Sequence, residues 1–232
     1  MKLEVKNLTK NYGTKEVLKN INFNFEDGKI YGLVGRNGSG KTTFFNCLND
    51  DVDINKGEFF LDGERLKVED IGYVTATPIV PEFLTGKEFL KFYLDINEDK
   101  LVERKSLEEY FEIVKISKED QNKLLKEYSH GMKNKIQILV NIILNPKVIL
   151  LDEPLTSLDI VVQEDLKKLL REWKKNHIII FSTHILELAM DLCDEIIVLS
   201  NKQLEEVKKE NLTMKNYKEK IIQELKDDKS VS

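Results

Sequence analysis

The residues with the clearest chemistry lie between positions 35 and 43, where glycines alternate with small polar side chains and a lysine. The segment from Gly35 to Thr42 fits the pattern G-x-x-x-x-G-K-[ST], which forms a phosphate-binding P-loop. Glycines let the backbone turn tightly and bring its N–H groups close to phosphate oxygens. Lys41 would bring a positive charge to the β- and γ-phosphates, and the Thr42 hydroxyl can ligate Mg²⁺. The segment therefore predicts a triphosphate and Mg²⁺ as ligands.

The elements on either side of this segment suit a P-loop. The apolar run 29–34 predicts a buried strand that enters the loop, and residues 43–48 predict a helix that leaves it. In that arrangement the phosphates would meet the N-terminus of a helix, where backbone N–H groups are free. The predicted phosphate-binding residues are Gly35, Arg36, Asn37, Gly38, Ser39, Gly40, Lys41, Thr42 and Thr43.

A pair of carboxylates follows another apolar run, at 148–151. Asp152 and Glu153 stand just past the predicted end of this buried strand, which is the edge where open α/β sheets bind ligands. Asp152 can hold Mg²⁺ through its water shell, and Glu153 can orient or deprotonate an attacking water. The alternative is an ordinary acidic turn before Pro154. Since phosphoryl transfer needs a metal anchor as well as a phosphate cradle, the pair favours the catalytic interpretation.

Two further motifs are ambiguous by themselves. His184 follows the apolar run 178–181, so it should reach the same sheet edge, where a neutral imidazole could hydrogen-bond the γ-phosphate. A histidine in that place can equally be a capping or core residue. Ser129 and Gly131 precede the predicted helix 136–144 and could bind an anion, or the serine could simply cap the helix.

The composition describes a globular protein that makes its membrane contacts, if any, through a partner. The chain has 232 residues, of which 41% are hydrophobic and 33% charged, enough for one large domain or two small ones. It shows neither an apolar run long enough for a membrane helix nor a signal-peptide core. A net charge of −5 argues against broad nucleic-acid binding. Cys47 and Cys193 lack metal spacing and predict buried thiols in a reducing cytosol.

The apolar pattern predicts an α/β fold. Period-two alternation over 3–25 predicts antiparallel strands, and a mostly helical stretch follows from about 81 to 144. Short apolar strands that alternate with helices indicate a mostly parallel sheet covered on both faces, here interrupted by an all-helical insertion. The other predicted elements are a hairpin at 59–64, strands at 71–74, 148–151, 178–181 and 196–199, and helices at 165–175 and 185–192.

The order of the motifs resembles the nucleotide-binding subunit of an ATP-binding cassette (ABC) transporter. The resemblance runs from about residue 3 to 199 and rests on the P-loop, the segment 128–132, Asp152 and Glu153, the segment 157–159 and the segment 182–184. It implies a P-loop NTPase core of the RecA-like type, with an antiparallel β subdomain and an inserted α-helical subdomain. We expect one ATPase domain at 1–207, made of an α/β core (1–76 and 145–207) and a helical subdomain (77–144), followed by a charged helix and tail at 208–232.

The resemblance also assigns roles to residues that their local pattern leaves open. In this family two ATPase subunits meet head to tail, and each ATP lies between the P-loop of one and the signature motif of the other. By resemblance, Ser129 and Gly131 contact the γ-phosphate bound to the other subunit, Asp159 crosses the dimer seam, and Tyr12 stacks on adenine, although Tyr12 could also be a plain strand-edge tyrosine. The implied catalytic residues are Lys41, Glu153 and His184, and the implied metal ligands are Thr42 and Asp152.

Two positions depart from the family pattern. The signature usually begins Leu-Ser-Gly-Gly, whereas this chain has His130 between Ser129 and Gly131, which loses the conformational freedom of glycine. The histidine could add a donor to phosphate or weaken closure. After the predicted strand 71–74 the family usually has a glutamine, whereas this chain has Ala76, which cannot ligate a metal. A homodimer and a heterodimer with one weak site both fit these departures.

The function implied by the resemblance is that of an exporter's ATPase subunit. Such a subunit binds ATP and Mg²⁺, lies in the cytoplasm on the inner face of the membrane, and drives transmembrane permease subunits that carry a drug, a lipid, or an antimicrobial or toxin-like peptide. Residues 81–90 lie where the family docks its membrane subunit, although their aromatic side chains could instead be core. For the exporter subunit we expect no nucleic acid as partner. The alternatives are a soluble ABC ATPase that acts on a nucleic-acid or protein assembly, and a catalytically weak cassette of a heterodimer.

Overall fold

A computed structural model describes residues 1–101, 103–156, 158–208 and 213–228. Its strands are β1 (Lys2–Tyr12), β2 (Lys15–Glu26), β3 (Lys29–Val34), β4 (Lys56–Leu61), β5 (Glu64–Arg65), β6 (Ile71–Val74), β7 (Val148–Asp152), β8 (Ile178–Thr183), β9 (Glu195–Ser200) and β10 (Gln203–Val207). Its α-helices are α1 (Lys41–Leu48), α2 (Gly86–Ile96), α3 (Leu107–Ile113), α4 (His130–Leu144), α5 (Ile160–Trp173), α6 (Leu186–Leu192) and α7 (Met214–Lys226).

The larger sheet has the strand order β10-β9-β3-β8-β7-β6, and every neighbouring pair except β10 and β9 is parallel. Strands β7 and β8 are apolar runs that are buried throughout, as expected for a parallel sheet covered on both faces. The pairing of Val34 with Thr183 and of Asp152 with Ser182 brings the carboxyl ends of β3, β7 and β8 to one edge. The α/β class predicted above is confirmed.

The smaller sheet is antiparallel, with the order β2-β1-β4-β5, and follows the predicted period-two pattern. Its apolar face and one face of the larger sheet enclose α1, whose Phe44 and Phe45 are fully buried between them. Complete burial of one such side chain stabilises the fold by roughly 1.5–3 kcal/mol. This packing holds α1 in place, and with it the loop that precedes the helix.

The region between β6 and β7 is helical and has an apolar core of its own, built around Leu90, Phe111 and Leu139. Helices α2 and α3 each begin with a capping box, in which Thr85 and Ser106 accept from the helix backbone three residues on. Helix α4 is shared, because its Ile138 packs into the core of the larger sheet. The boundaries predicted for a helical subdomain stay a prediction.

Three predicted helices begin closer to the N-terminus in the structure: the helix predicted at 43–48 begins at Lys41, and two others begin five or six residues earlier than predicted. The helix predicted at 136–144 begins at His130, and the helix predicted at 165–175 begins at Ile160 and ends at Trp173. Ser129 and Asp159 cap these two helices. Their first turns are polar or exposed, so the helical spacing of apolar residues that predicts a helix begins only further along the chain. In the described part of the C-terminal region α7 packs on the core through Tyr217 and Ile221; residues 209–212 and 229–232 of the predicted tail lie outside it.

Candidate functional site

The P-loop joins the end of β3 to the start of α1, and the structure requires glycine at three of its positions. A Cβ at Gly35 would lie 2.5 Å from the Ser39 Oγ and 3.0 Å from the Leu199 carbonyl oxygen. Gly38 and Gly40 have φ of 81° and 109°, which other residues rarely adopt. Because Gly40 precedes α1 without a capping side chain, the first N–H groups of the helix are left for an anion.

Lys41 is a nearly buried cation whose close partners are neutral. Its side chain is 7% exposed, and its Nζ donates to the carbonyl oxygens of Gly35 at 2.9 Å and Arg36 at 3.3 Å. The Glu153 Oε1 lies further away, at 3.9 Å. Burial lowers the pKa of Lys41, and the negative charges of Glu153 and Asp152 partly oppose that shift. A buried ammonium with so little compensation is well suited to a phosphate.

Asp152 and Thr42 form a compact pair of oxygen donors beside Lys41. The Thr42 Oγ1 donates to the Asp152 Oδ2 at 2.7 Å, and the Ser182 hydroxyl donates to the Asp152 Oδ1. Burial and the nearby Asp152 raise the pKa of Tyr73, so its hydroxyl stays protonated and donates to Asn46. A hydroxyl and a carboxylate held together at a phosphate loop fit Mg²⁺, which prefers hard oxygen ligands.

Glu153 is held from several sides. Its φ of 50° is unusual for a residue with a side chain, and its N–H donates to the Ser182 carbonyl oxygen at 3.2 Å. Its Oε1 lies 2.9 Å from the His184 Nδ1, and its Oε2 accepts from the Thr156 hydroxyl at 2.9 Å. The structure thus brings Lys41, Glu153 and His184, which lie far apart in sequence, into one continuous group.

Lys41, Thr42, Asp152 and Glu153 border an open cavity of about 430 Å³. His184 does not line this cavity and is joined to it through its contact with Glu153. Tyr12 lies at its rim, 47% exposed, with the Lys10 Nζ 4.5 Å from the centre of its ring. Lys15 and Val17 also line the cavity, and nothing in the motif pattern singles them out. The lining residues are Tyr12, Lys15, Val17, Asn37, Gly38, Gly40, Lys41, Thr42, Thr43, Ala76, Asp152 and Glu153.

A second group of predicted residues does not line this cavity. Ser129 and Asp159 both cap helices, accepting from the N–H groups of Met132 and Val162 respectively. A Cβ at Gly131 would lie 3.1 Å from the Leu158 Cδ2, so the start of α4 abuts the segment that leads into Asp159. The predicted Ser157 lies outside the described residues. Gly35, Arg36 and Ser39 belong to the P-loop without lining the cavity.

The fold and the site together define a P-loop nucleotide-binding protein, with an acidic pair and a histidine at the carboxyl edge of a parallel sheet. The family model described as "ABC transporter" matches residues 18–156. An ABC transporter ATP-binding protein of Methanocaldococcus jannaschii is 36% identical over 200 residues, 85% of this chain and 74% of the relative. YxlF, an ABC transporter ATP-binding protein of Bacillus subtilis, is 31% identical over 87% of this chain and 69% of the relative.

The chain belongs to the ABC transporter family, as its ATP-binding component, and the predicted ATPase class is confirmed. Among solved structures, an ATP-binding subunit of an ABC transporter matches 96% of this chain and 100% of its own length, at 24% identity and a TM-score of 0.80. An ABC transporter ATP-binding protein from Pyrococcus furiosus covers 86% of this chain and 98% of its own, at 26% identity and a TM-score of 0.73. A bacterial ABC transporter cassette solved as a dimer matches 88% of this chain and 96% of its own length, at 25% identity and a TM-score of 0.76.

Within the described ranges, every helix is too short or too polar to span a lipid bilayer. Cys47 and Cys193 are both free thiols, and burial raises the pKa of Cys47 to about 11, so at neutral pH that thiol is protonated.

Proposed function

We propose that this chain hydrolyses ATP in the cavity beside Lys41 and so drives the permease subunits of an exporter. The observation that carries the proposal is the continuous group of Lys41, Glu153 and His184, set next to the oxygen pair of Thr42 and Asp152. It joins a phosphate-binding cation, a carboxylate that can accept a proton and a site for a metal ion within one cavity.

Each residue then has a distinct task. The ATP phosphates bind along the P-loop, and adenine stacks on the exposed ring of Tyr12. Glu153 accepts a proton as water attacks the γ-phosphorus and ADP leaves, while Lys41 stabilises the charge that develops on the γ-phosphoryl oxygens. His184 holds the Glu153 carboxylate in position and binds the γ-phosphate. When bound, Mg²⁺ would be held by Thr42 and by Asp152, and would neutralise phosphate charge.

The position of the second group of residues supports a dimer. Ser129, Gly131 and Asp159 lie off the cavity that holds Lys41, so the same subunit does not use them at its own P-loop. A second ATPase subunit placed head to tail would bring its Ser129 and Gly131 to this chain's bound nucleotide. That second subunit is another copy of this chain or a related ATPase.

An exposed apolar segment supports a membrane partner. Ile79 and Phe83 are 77% and 78% exposed, and they lie in the stretch between β6 and α2. The same stretch contains Ala76, which lines the nucleotide cavity, so a permease segment docked here would lie next to the site of hydrolysis. We place the subunit on the cytoplasmic face of the membrane, with a drug, a lipid or a peptide as cargo.

The test is the steady-state Mg²⁺-dependent ATPase activity of the purified chain at increasing concentration, with Glu153→Gln as the control. A specific activity that rises with concentration and collapses in the variant supports hydrolysis by a dimer of identical chains. Absence of turnover at every concentration, with ATP binding intact, means that the chain alone does not complete the site and needs either a different ATPase subunit or its membrane subunit. Absence of ATP binding contradicts the proposal as a whole.

A further inference from the structure

Two polar side chains interrupt the buried face of α4 that packs on β6. Gln137 and Asn141 are only 8% and 7% exposed, one helical turn apart. The Gln137 Nε2 donates to the Thr75 Oγ1 at 3.1 Å, just past the end of β6. Asn141 donates to the Gln137 backbone carbonyl at 2.7 Å and packs against Gly72, where a Cβ would lie 2.1 Å from the Asn141 Oδ1.

The hydrogen bonds around Thr75 determine which way the Gln137 amide faces. The Thr75 hydroxyl donates its own proton to the Thr77 carbonyl oxygen at 2.8 Å, so a second group can approach it only as a donor. The Gln137 Nε2 therefore faces Thr75, and in the described structure its Oε1 is buried without a hydrogen-bond partner. A buried unpaired acceptor costs about 1–3 kcal/mol. The contact is thus a poor way to gain stability, and an apolar side chain would serve better there.

The same contact links two parts of the site. Thr75 directly precedes Ala76, which lines the cavity with Lys41 and Glu153. Gln137 lies eight residues after Ser129, which is about 12 Å along the helix axis. The hydrogen bond therefore joins α4, the helix that Ser129 caps, to the wall of the nucleotide cavity.

We propose that Gln137 is a positioning residue for ATP hydrolysis: through Thr75 its amide holds Ala76 and the cavity wall in register with α4. A movement of α4 would then be transmitted to the cavity through Thr75. Ala76 has no polar side chain of its own with which to make such a link. The inference deepens the proposed function and rests on hydrolysis taking place in this cavity.

The experiment compares Gln137→Met, which keeps length and volume but removes the amide, with Thr75→Val, which removes only the hydroxyl. Thr75→Ser keeps the hydroxyl, and Asn141→Ala removes a buried polar side chain that lies one turn further along α4. We expect Gln137→Met and Thr75→Val each to lower kcat about 5- to 20-fold, within the range of residues that couple sites without touching ligand. Affinity for a fluorescent ATP analogue should stay within about twofold, and the melting temperature of Gln137→Met should be unchanged or higher.

The double variant Gln137→Met/Thr75→Val should lower kcat no more than Thr75→Val alone, because Thr75→Val already removes the contact with Gln137, along with the hydrogen bond to the Thr77 carbonyl oxygen. Thr75→Ser and Asn141→Ala should keep the wild-type kcat, whatever Asn141→Ala does to the melting temperature. A wild-type kcat in Gln137→Met, or effects of the two changes that multiply, would overturn the inference while leaving the proposed function standing. If Gln137→Met does not fold, equal kcat values in Thr75→Val and Thr75→Ser would overturn it instead. A wild-type chain that does not bind the ATP analogue overturns the proposed function itself.

Discussion

Replacement of Glu153 by glutamine is the sharpest single test of the site. The change keeps the size of the side chain and leaves one oxygen to accept either from Thr156 or from His184. It removes the proposed proton acceptor and the negative charge that lies 3.9 Å from the Lys41 Nζ. The backbone at Glu153 has φ of 50°, which an amide side chain tolerates as well as a carboxylate does. We therefore expect a folded chain with an altered site.

The expected magnitude follows from the role of a general base. Loss of such a group lowers turnover by about 10²–10⁴-fold, which corresponds to roughly 2.7–5.4 kcal/mol of transition-state stabilisation. ATP binding should survive or become tighter, because a negative charge next to the γ-phosphate is gone. The Glu153 carboxylate also supports the charged form of Lys41, so the pKa of Lys41 should fall further in the variant.

The assay is single-turnover hydrolysis of radiolabelled ATP, with nucleotide affinity measured separately by fluorescence. Thr156→Val is the matched control, because it removes one hydrogen bond to the Glu153 Oε2 and keeps the carboxylate. That control should lose no more than about tenfold in turnover, the scale of a single hydrogen bond. A Glu153→Gln variant that hydrolyses ATP within tenfold of the wild type would refute the assignment of Glu153 as the base.

Three further predictions concern separate parts of the site and the fold. Tyr12→Ala should raise the KM for ATP about 5- to 100-fold, the scale of one base stacked on an aromatic ring, while Tyr12→Phe stays near wild type in the same steady-state assay. Thr42→Val should raise the Mg²⁺ concentration needed for half-maximal activity by about 10- to 100-fold in an Mg²⁺ titration, whereas Thr42→Ser keeps the hydroxyl ligand and should behave like the wild type. Equal titration curves for the two variants would contradict a metal ion at Thr42. Burial lowers the pKa of His177 below that of the unfolded chain, so the unfolded state binds the proton first and stability falls as the pH drops below about 6.5. Urea unfolding from pH 7 to 5 should show this slope, at most about 1.4 kcal/mol per pH unit, and His177→Gln should reduce it.

The chemistry of the P-loop and of the acidic pair could be predicted from the sequence because both depend on local backbone. Gly35 must leave room for Ser39, and Gly40 must take a φ of 109°, so glycine appears where the local path requires it. The α/β class was likewise visible, since buried parallel strands appear as short apolar runs. The starts of α4 and α5 were missed because capping serines and aspartates look the same in loops and in functional motifs.

The sequence by itself determined which side chains we propose for the chemistry: a lysine and a threonine at the end of the P-loop, two carboxylates after a strand, and a histidine after the next strand. Only the tertiary structure decided how they meet. The pairing of Asp152 with Ser182 brings Glu153 to His184, and the packing of α4 on β6 brings Gln137 to Thr75, which lies 62 residues earlier in the chain. Such contacts depend on strand order and helix packing, which arise from burial of the whole apolar surface rather than from any local pattern.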